Sequence, residues 1–362
     1  MNAKWENRLL GPVSLRSLIL VLVLAFALGG LVAPADGKRG ITERKTLGHE
    51  WLAREFKASP VSSLQAGARY ALLDAIIDDV ANRLLPRFPV SDPVQARNAL
   101  RTIDRVLAER RFYVSMPTRA LKDSLEPSPP PRSVRRLLTP LRREMIGHNP
   151  KAPCHRMDCD TGSAIYASAG EALRLPISIV EVPGHKFVRW KLGGGRYMNW
   201  DTNAAREYSD AEFRLGKTLT YSVRLSSAEE AAGKYLTPLS REQAVAYHRN
   251  IVAEIYQERR RYQSAATEYR AALAVRPYDS LAANNLAWLY LENRSLRTRG
   301  NVAAALNLAR TAASVLPKNR DYLDTLARAL AANGRFDEAI AVEKRSYRKS
   351  KHIRLFKSRK SY

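Results

Sequence analysis

The stretch that decides the reading is residues 159–201, CDTGSAIYASAGEALRLPISIVEVPGHKFVRWKLGGGRYMNWD. Thr161 and Ser163 follow Cys159, and Ile165, Ala169, Ala172 and Leu173 then recur at helical spacing. Cys159 is therefore expected at or just before a helix N-terminus. Free N–H groups and the helix dipole there stabilise a thiolate and lower a thiol's pKa. The polar neighbours Asp158 and Asp160 argue against deep burial of the thiol. Leu175-Pro176 ends the helix, and 177–182 reads as a buried strand. His185 opens the next strand, in which His185, Phe187 and Arg189 alternate with Lys186, Val188 and Trp190. Gly193-Gly194-Gly195 forms a hairpin loop and 196–201 returns. With Leu192 opposite Arg196, Phe187 faces Asp201 and His185 is its diagonal neighbour on the same face. Diagonal pairs lie ~7–8 Å apart at the backbone, within reach of an imidazole–carboxylate hydrogen bond. A one-residue slip in the turn would put the two on opposite faces.

A thiol at a helix start with a His–Asp pair on adjacent strands is a nucleophile, a base and its orienter. This order and spacing resemble the transglutaminase-like superfamily, a branch of the papain-like cysteine fold, over about residues 150–205. Leu175-Pro176 and Asn199-Trp200-Asp201 add to the likeness. The resemblance implies an α+β fold of helices plus an antiparallel sheet. It makes Cys159 the nucleophile, His185 the base and Asp201 the orienter, acting on a peptide or protein substrate without a cofactor or metal. It leaves cysteine peptidase, transamidase and disabled copy open. Papain-like enzymes commonly carry a Gln shortly before the Cys to bind the oxyanion, and 149–158 contains none. Asn149, His155 or a backbone N–H would have to serve. Cys154 has three readings: a disulfide with Cys159, a metal ligand, or a spectator. A zinc set of Cys154, His155, Cys159 and His185 has an unfamiliar spacing. Tyr166, Trp190 and Trp200 read as core.

The C-terminal third repeats. Ala253, Tyr256, Ala265, Tyr269, Ala272 and Pro277 form one unit. Leu286, Ala287, Tyr290, Ala305, Ala309, Ala312 and Pro317 form a second, with a polar insertion at 293–299. Leu326, Ala327, Gly334, Phe336 and Ala339 form a third. The pattern resembles the tetratricopeptide (TPR) family, which implies an all-α array of helical hairpins over 240–345. Such repeats bind a peptide or protein in their concave face, or here pack on the neighbouring domain.

At the other end, Lys4, Arg8 and Arg16 precede an unbroken apolar run at 18–28, and Ala33-Pro34-Ala35 supplies small residues for cleavage. Residues 1–35 thus read as a signal peptide or membrane anchor. The expected location is the cell envelope, periplasmic or held at the inner membrane. Residues 36–135 read as a helical N-terminal region, with 37–60 a linker holding a short helix and amphipathic helices at 61–86 and around 94–107. The Pro-rich stretch at 126–133 is a stiff connector. Residues 136–235 are the cysteine domain. The tail, 346–362, is basic and has no acid, which suits an anionic membrane or polymer.

The chain has 362 residues and a formal net charge of +25. Charge alone would admit nucleic acid, but no interleaved aromatic platform accompanies it, and export argues against that partner. Two cysteines exclude a disulfide-rich scaffold. The remaining function classes are an envelope cysteine acyl-transfer enzyme and a non-catalytic scaffold that uses the repeats for protein binding.

Overall fold

Local sequence sets the helix starts in the N-terminal part. Ser62 and Gln65 close a reciprocal capping box on α2 (Ser63–Arg83). Asp92 accepts the Val94 N–H at 2.8 Å ahead of α3 (Pro93–Glu109), which has a Pro in its first turn. An earlier helix, α1 (Leu47–Ala58), occupies the stretch expected to be mostly linker. Its Trp51 and Leu52 are fully buried, so apolar anchoring overrides the polar average of the segment. The structure, a computed structural model, describes residues 45–84, 89–115, 120–131, 139–227, 229 and 235–346. The signal or anchor segment and the basic tail from 347 onward lie outside the described residues. No described helix is long and apolar enough to cross a membrane.

The architecture is mixed α+β, with an antiparallel sheet and a C-terminal helical array. After α3 a short strand β1 (Phe112–Val114) pairs in parallel with β2 (His155–Met157). Between them lie α4 (Leu121–Ser124) and α5 (Pro140–Gly147). Within the Pro-rich connector, Ser128 exchanges backbone hydrogen bonds with Cys154. The long helix α6 (Cys159–Leu173) follows and is buried over its first three turns. The four-stranded sheet runs in sequence order: β3 (Ile177–Val182), β4 (His185–Gly193), β5 (Arg196–Asp201) and β6 (Arg206–Glu207).

Two-residue alternation splits the sheet into two faces. Val188, Trp190, Met198 and Trp200 join the main core with α6. Val180, Val182 and Phe187 join a second cluster with Tyr208, Tyr221 and Phe213, the last from α7 (Asp210–Leu215). The expected core aromatics Tyr166, Trp190 and Trp200 are buried, and Trp200 Nε1 reaches the Tyr166 hydroxyl at 3.3 Å.

Among the described residues six helices follow: α8 (Arg241–Glu258), α9 (Tyr262–Val275), α10 (Ser280–Glu292), α11 (Arg299–Val315), α12 (Arg320–Ala332) and α13 (Phe336–Ser346). Ala265, Ala272, Ala305, Ala309, Ala312, Ala327 and Ala339 are fully buried, because small side chains let paired helices approach. The array is docked on the rest of the chain. Trp51 stacks on His248 of α8 at 4.3 Å, and His248 Nε2 lies 2.7 Å from Glu55 Oε1. One connected set of buried side chains runs from Leu47 to Ile340.

Candidate active site

Cys159 is the first residue of α6, as its surroundings dictate. Asp158 caps the helix, its carboxylate accepting the Asp160 and Thr161 N–H groups at 3.1 Å. Thr161 returns the contact by accepting the Asp158 N–H at 3.0 Å. Gly162 lets this turn approach the chain just after β5. A Cβ there would stand 2.7 Å from Met157 Cε and 2.8 Å from Thr202 Oγ1.

The hairpin brings His185 and Asp201 together. The register matches expectation over most of its length, with Val188 opposite Trp200 and Arg189 opposite Asn199. At the turn it differs, because Gly193 rather than Leu192 faces Arg196 and a bulge takes up the extra residue. Asp201 Oδ2 lies 3.0 Å from His185 Nε2 and also accepts the Thr220 hydroxyl. Its Oδ1 accepts the Asn203 and Ala204 N–H groups at 2.9 and 3.1 Å. Burial raises the Asp201 pKa, but the His185 contact and the Thr220 and Ala204 donors outweigh it and hold the carboxyl below its ordinary value. The His185 ring is stacked on Tyr221 at 5.5 Å and Phe213 at 6.2 Å.

Cys159 differs from expectation. Its residue is only 4% exposed, although Asp158 and Asp160 flank it. Both carboxylates have partners of their own, Asp158 in the cap and Asp160 with Lys186 and Tyr247, so neither draws the thiol into water. Burial pushes the thiol's pKa well up, and Asp160 pushes the same way. The Lys186 ammonium pulls it down, Asp158 adds to the rise, and the Lys186 backbone N–H helps the thiolate only slightly. The balance favours the protonated thiol over the thiolate. Among the described residues no hydrogen bond joins Cys159 Sγ to the His185 ring. Lys186, the residue next to His185, lines the cleft together with the thiol.

Lys186 was missed in the sequence because a lysine inside a strand reads as a solvated face. It is 8% exposed, and its Nζ lies 2.8 Å from Asp160 Oδ1 and 3.8 Å from the Tyr247 ring centroid. Burial disfavours its charge, but Asp160, with Tyr247 and Glu181, outweighs that and raises its pKa above the ordinary value. Tyr247 of α8 donates to Asp160 at 2.9 Å, and Arg276 pairs with Glu181. The first helical hairpin thus contributes directly to the surroundings of Cys159. No local motif signals that contact; only the docked array creates it.

The other candidates have structural partners. Cys154 is fully buried against Tyr113 and Ile146, and both cysteines are free thiols. His155 stacks on Phe112 at 4.8 Å, and burial lowers its pKa. The Asn149 carbonyl accepts from Arg111 at 2.7 Å. Among the described residues no group of three or more His, Cys, Asp or Glu is arranged to hold a metal.

A cleft of about 940 Å³ opens at Cys159. Asp160, Gly184 and Lys186 line it beside the thiol, Asn250 and Tyr322 line the wall made by the array, here the far wall, and Tyr247 joins the two by its contacts with Asp160 and Lys186. His185 sits behind the near wall, 3% exposed. No protein-family model and no curated protein sequence matches the chain.

Proposed function

We propose that the chain is a cysteine acyl-transfer protein resembling the transglutaminase-like superfamily, with tetratricopeptide-type repeats forming the far wall of its substrate cleft. The apolar segment near its N-terminus suits an exported or inner-membrane-anchored location in the cell envelope, and the basic tail suits an anionic surface. The observation that carries the reading is the buried His185–Asp201 hydrogen bond, made by the strand whose next residue, Lys186, lines the cleft with Cys159. A buried His–carboxylate pair also occurs at His248–Glu55, where it joins helices; what sets His185–Asp201 apart is its place on the strand that carries Lys186 to the cleft beside Cys159.

In this reading Asp201 holds Nε2, so Nδ1 is the ring nitrogen for proton exchange. Substrate binding in the cleft must be accompanied by a shift of the His185 ring toward the thiol. His185 takes the Sγ proton as sulfur attacks the carbonyl carbon of an amide. The N–H of Cys159, at the first helical position, is a backbone donor for the oxyanion. The intermediate collapses, the amine leaves with the proton from His185, and a thioester remains on Cys159. Water or a second amine then gives its proton to His185, attacks the thioester and frees the thiol. With burial holding the thiol's pKa up, the reading is general-base catalysis, in which His185 takes the proton during attack.

The burial of the thiol favours a second reading, in which the same fold binds a peptide without reacting. The pH–rate profile of Cys159 alkylation by iodoacetamide, read by intact mass, separates the two. The acyl-transfer reading expects alkylation well below an ordinary thiol's pH that is lost in His185→Ala. A profile that rises only at an ordinary thiol's pH and ignores His185→Ala supports the binding-only reading.

A further inference from the structure

Asn250 of α8 is 1% exposed and lies on the cleft's far wall. Its Nδ2 donates to Asp279 Oδ2 at 3.3 Å, which fixes the amide's orientation. Its Oδ1 is buried without a hydrogen-bond partner. A buried acceptor left unpaired is costly, and it marks a place where a donor is missing. The charge of the cleft says which donor. Among the described lining residues five carboxylates stand against three basic side chains, and Arg276, just outside the lining, pairs with Glu181 and Asp279, which still leaves the carboxylates in excess in a chain whose net charge is +25. Glu254 and Asp279 line the cleft together with Asn250, and Asp279 is bonded to it. Each has its own contacts, yet each still contributes negative potential to a partly enclosed space, where charges are weakly screened.

We infer that the far wall of the cleft is a subsite for an alkylammonium group of the substrate, with Asn250 Oδ1 accepting one of its N–H bonds. A carboxylate or phosphate would meet an unpaired acceptor and like charge there, so anionic substrates are excluded from this wall. The ammonium can come from a lysine side chain or from a peptide's amino terminus; both present three N–H donors and one positive charge. The subsite is distinct from the reacting carbonyl, which must lie at Cys159. It rests on the reading that this cleft receives the substrate.

The test is calorimetric titration of the full chain carrying Cys159→Ala, so that binding is measured without chemistry. The probes are acetyl-Ala-Lys-Ala amide, its Nε-acetylated form, Ala-Ala-Ala amide with a free amino terminus, and the same tripeptide acetylated. One of the charged probes should bind at least about tenfold more tightly than its acetylated counterpart, and which one does so identifies the source. Asn250→Leu should remove most of that preference, while Tyr262→Phe in α9, outside the cleft lining, should keep it. Equal binding of charged and acetylated probes overturns the subsite, as does an unchanged preference in Asn250→Leu with intact folding by circular dichroism. Neither result touches Cys159 reactivity, which is measured separately in the unsubstituted protein. Loss of that reactivity leaves the ammonium preference as a property of a binding cleft.

Discussion

Glu55→Ala is expected to be among the most damaging single changes outside the active site. Glu55 is fully buried in α1 and has three partners. Its Oε1 accepts the Leu121 N–H at 2.9 Å and lies 2.7 Å from His248 Nε2. Its Oε2 accepts the Lys122 N–H at 2.6 Å. The carboxylate thus caps α4 and ties the helical array to α1. Each buried donor left unsatisfied costs ~1–3 kcal/mol. Part of the Lys122 N–H cost is recovered by water, since that contact is only partly buried. A net loss of ~3–5 kcal/mol follows, as for removing one partner from a buried polar cluster. Glu55→Gln keeps one accepting oxygen and should lose about half of that. Equilibrium urea unfolding, followed by tryptophan fluorescence, reads both, and Trp51 lies directly on His248. The midpoint should fall while the slope stays constant, in a single transition. A loss below ~1 kcal/mol would refute the argument that this carboxylate joins the array to the N-terminal helices.

Two further outcomes follow from the site. Gly162→Ala places a methyl 2.8 Å from the buried Thr202 Oγ1. Overpacking of ~1–3 kcal/mol, offset by ~1 kcal/mol of helix propensity, leaves a net loss of ~0–2 kcal/mol, together with slower Cys159 labelling; urea unfolding and intact-mass kinetics check both. The Asp201 pKa is lowered in the fold. Its stabilising effect is therefore present above an unfolded carboxyl's ~3.9 and lost as pH falls through the lower folded value. The stability difference between the unsubstituted protein and Asp201→Asn should shrink as acid is added below about pH 4, and a difference independent of pH there counts against the charged pairing.

The parts of the fold legible in the sequence were those with strong local periodicity. The array was legible because Ala and Tyr recur where helices of a hairpin touch, and those alanines are fully buried. The β4–β5 register was legible because alternation and the glycine turn both constrain it, and the bulge at the turn left the pairing of Arg189 with Asn199 unchanged. The role of α1 was not, because Trp51 and Leu52 are two buried anchors in an otherwise polar segment. The burial of Cys159 and the presence of Lys186 beside it were not, because they depend on Asp160 meeting Tyr247 from a helix nearly ninety residues away in sequence. Helix-start chemistry predicts a lowered thiol pKa; tertiary burial, invisible in a local window, reverses the direction.

The central claim is that Cys159 carries an acyl group with His185 as its base. Its most direct measurement is intact-mass detection of a thioester after brief exposure of the protein to p-nitrophenyl acetate, with neutral hydroxylamine to separate thioesters from stable lysine amides. The account predicts one hydroxylamine-labile acetyl group, mapped to Cys159, absent in Cys159→Ala and formed ~10²–10⁴-fold more slowly in His185→Ala. A labile acetyl group on Cys154, or a Cys159 adduct that forms equally fast without His185, would contradict it.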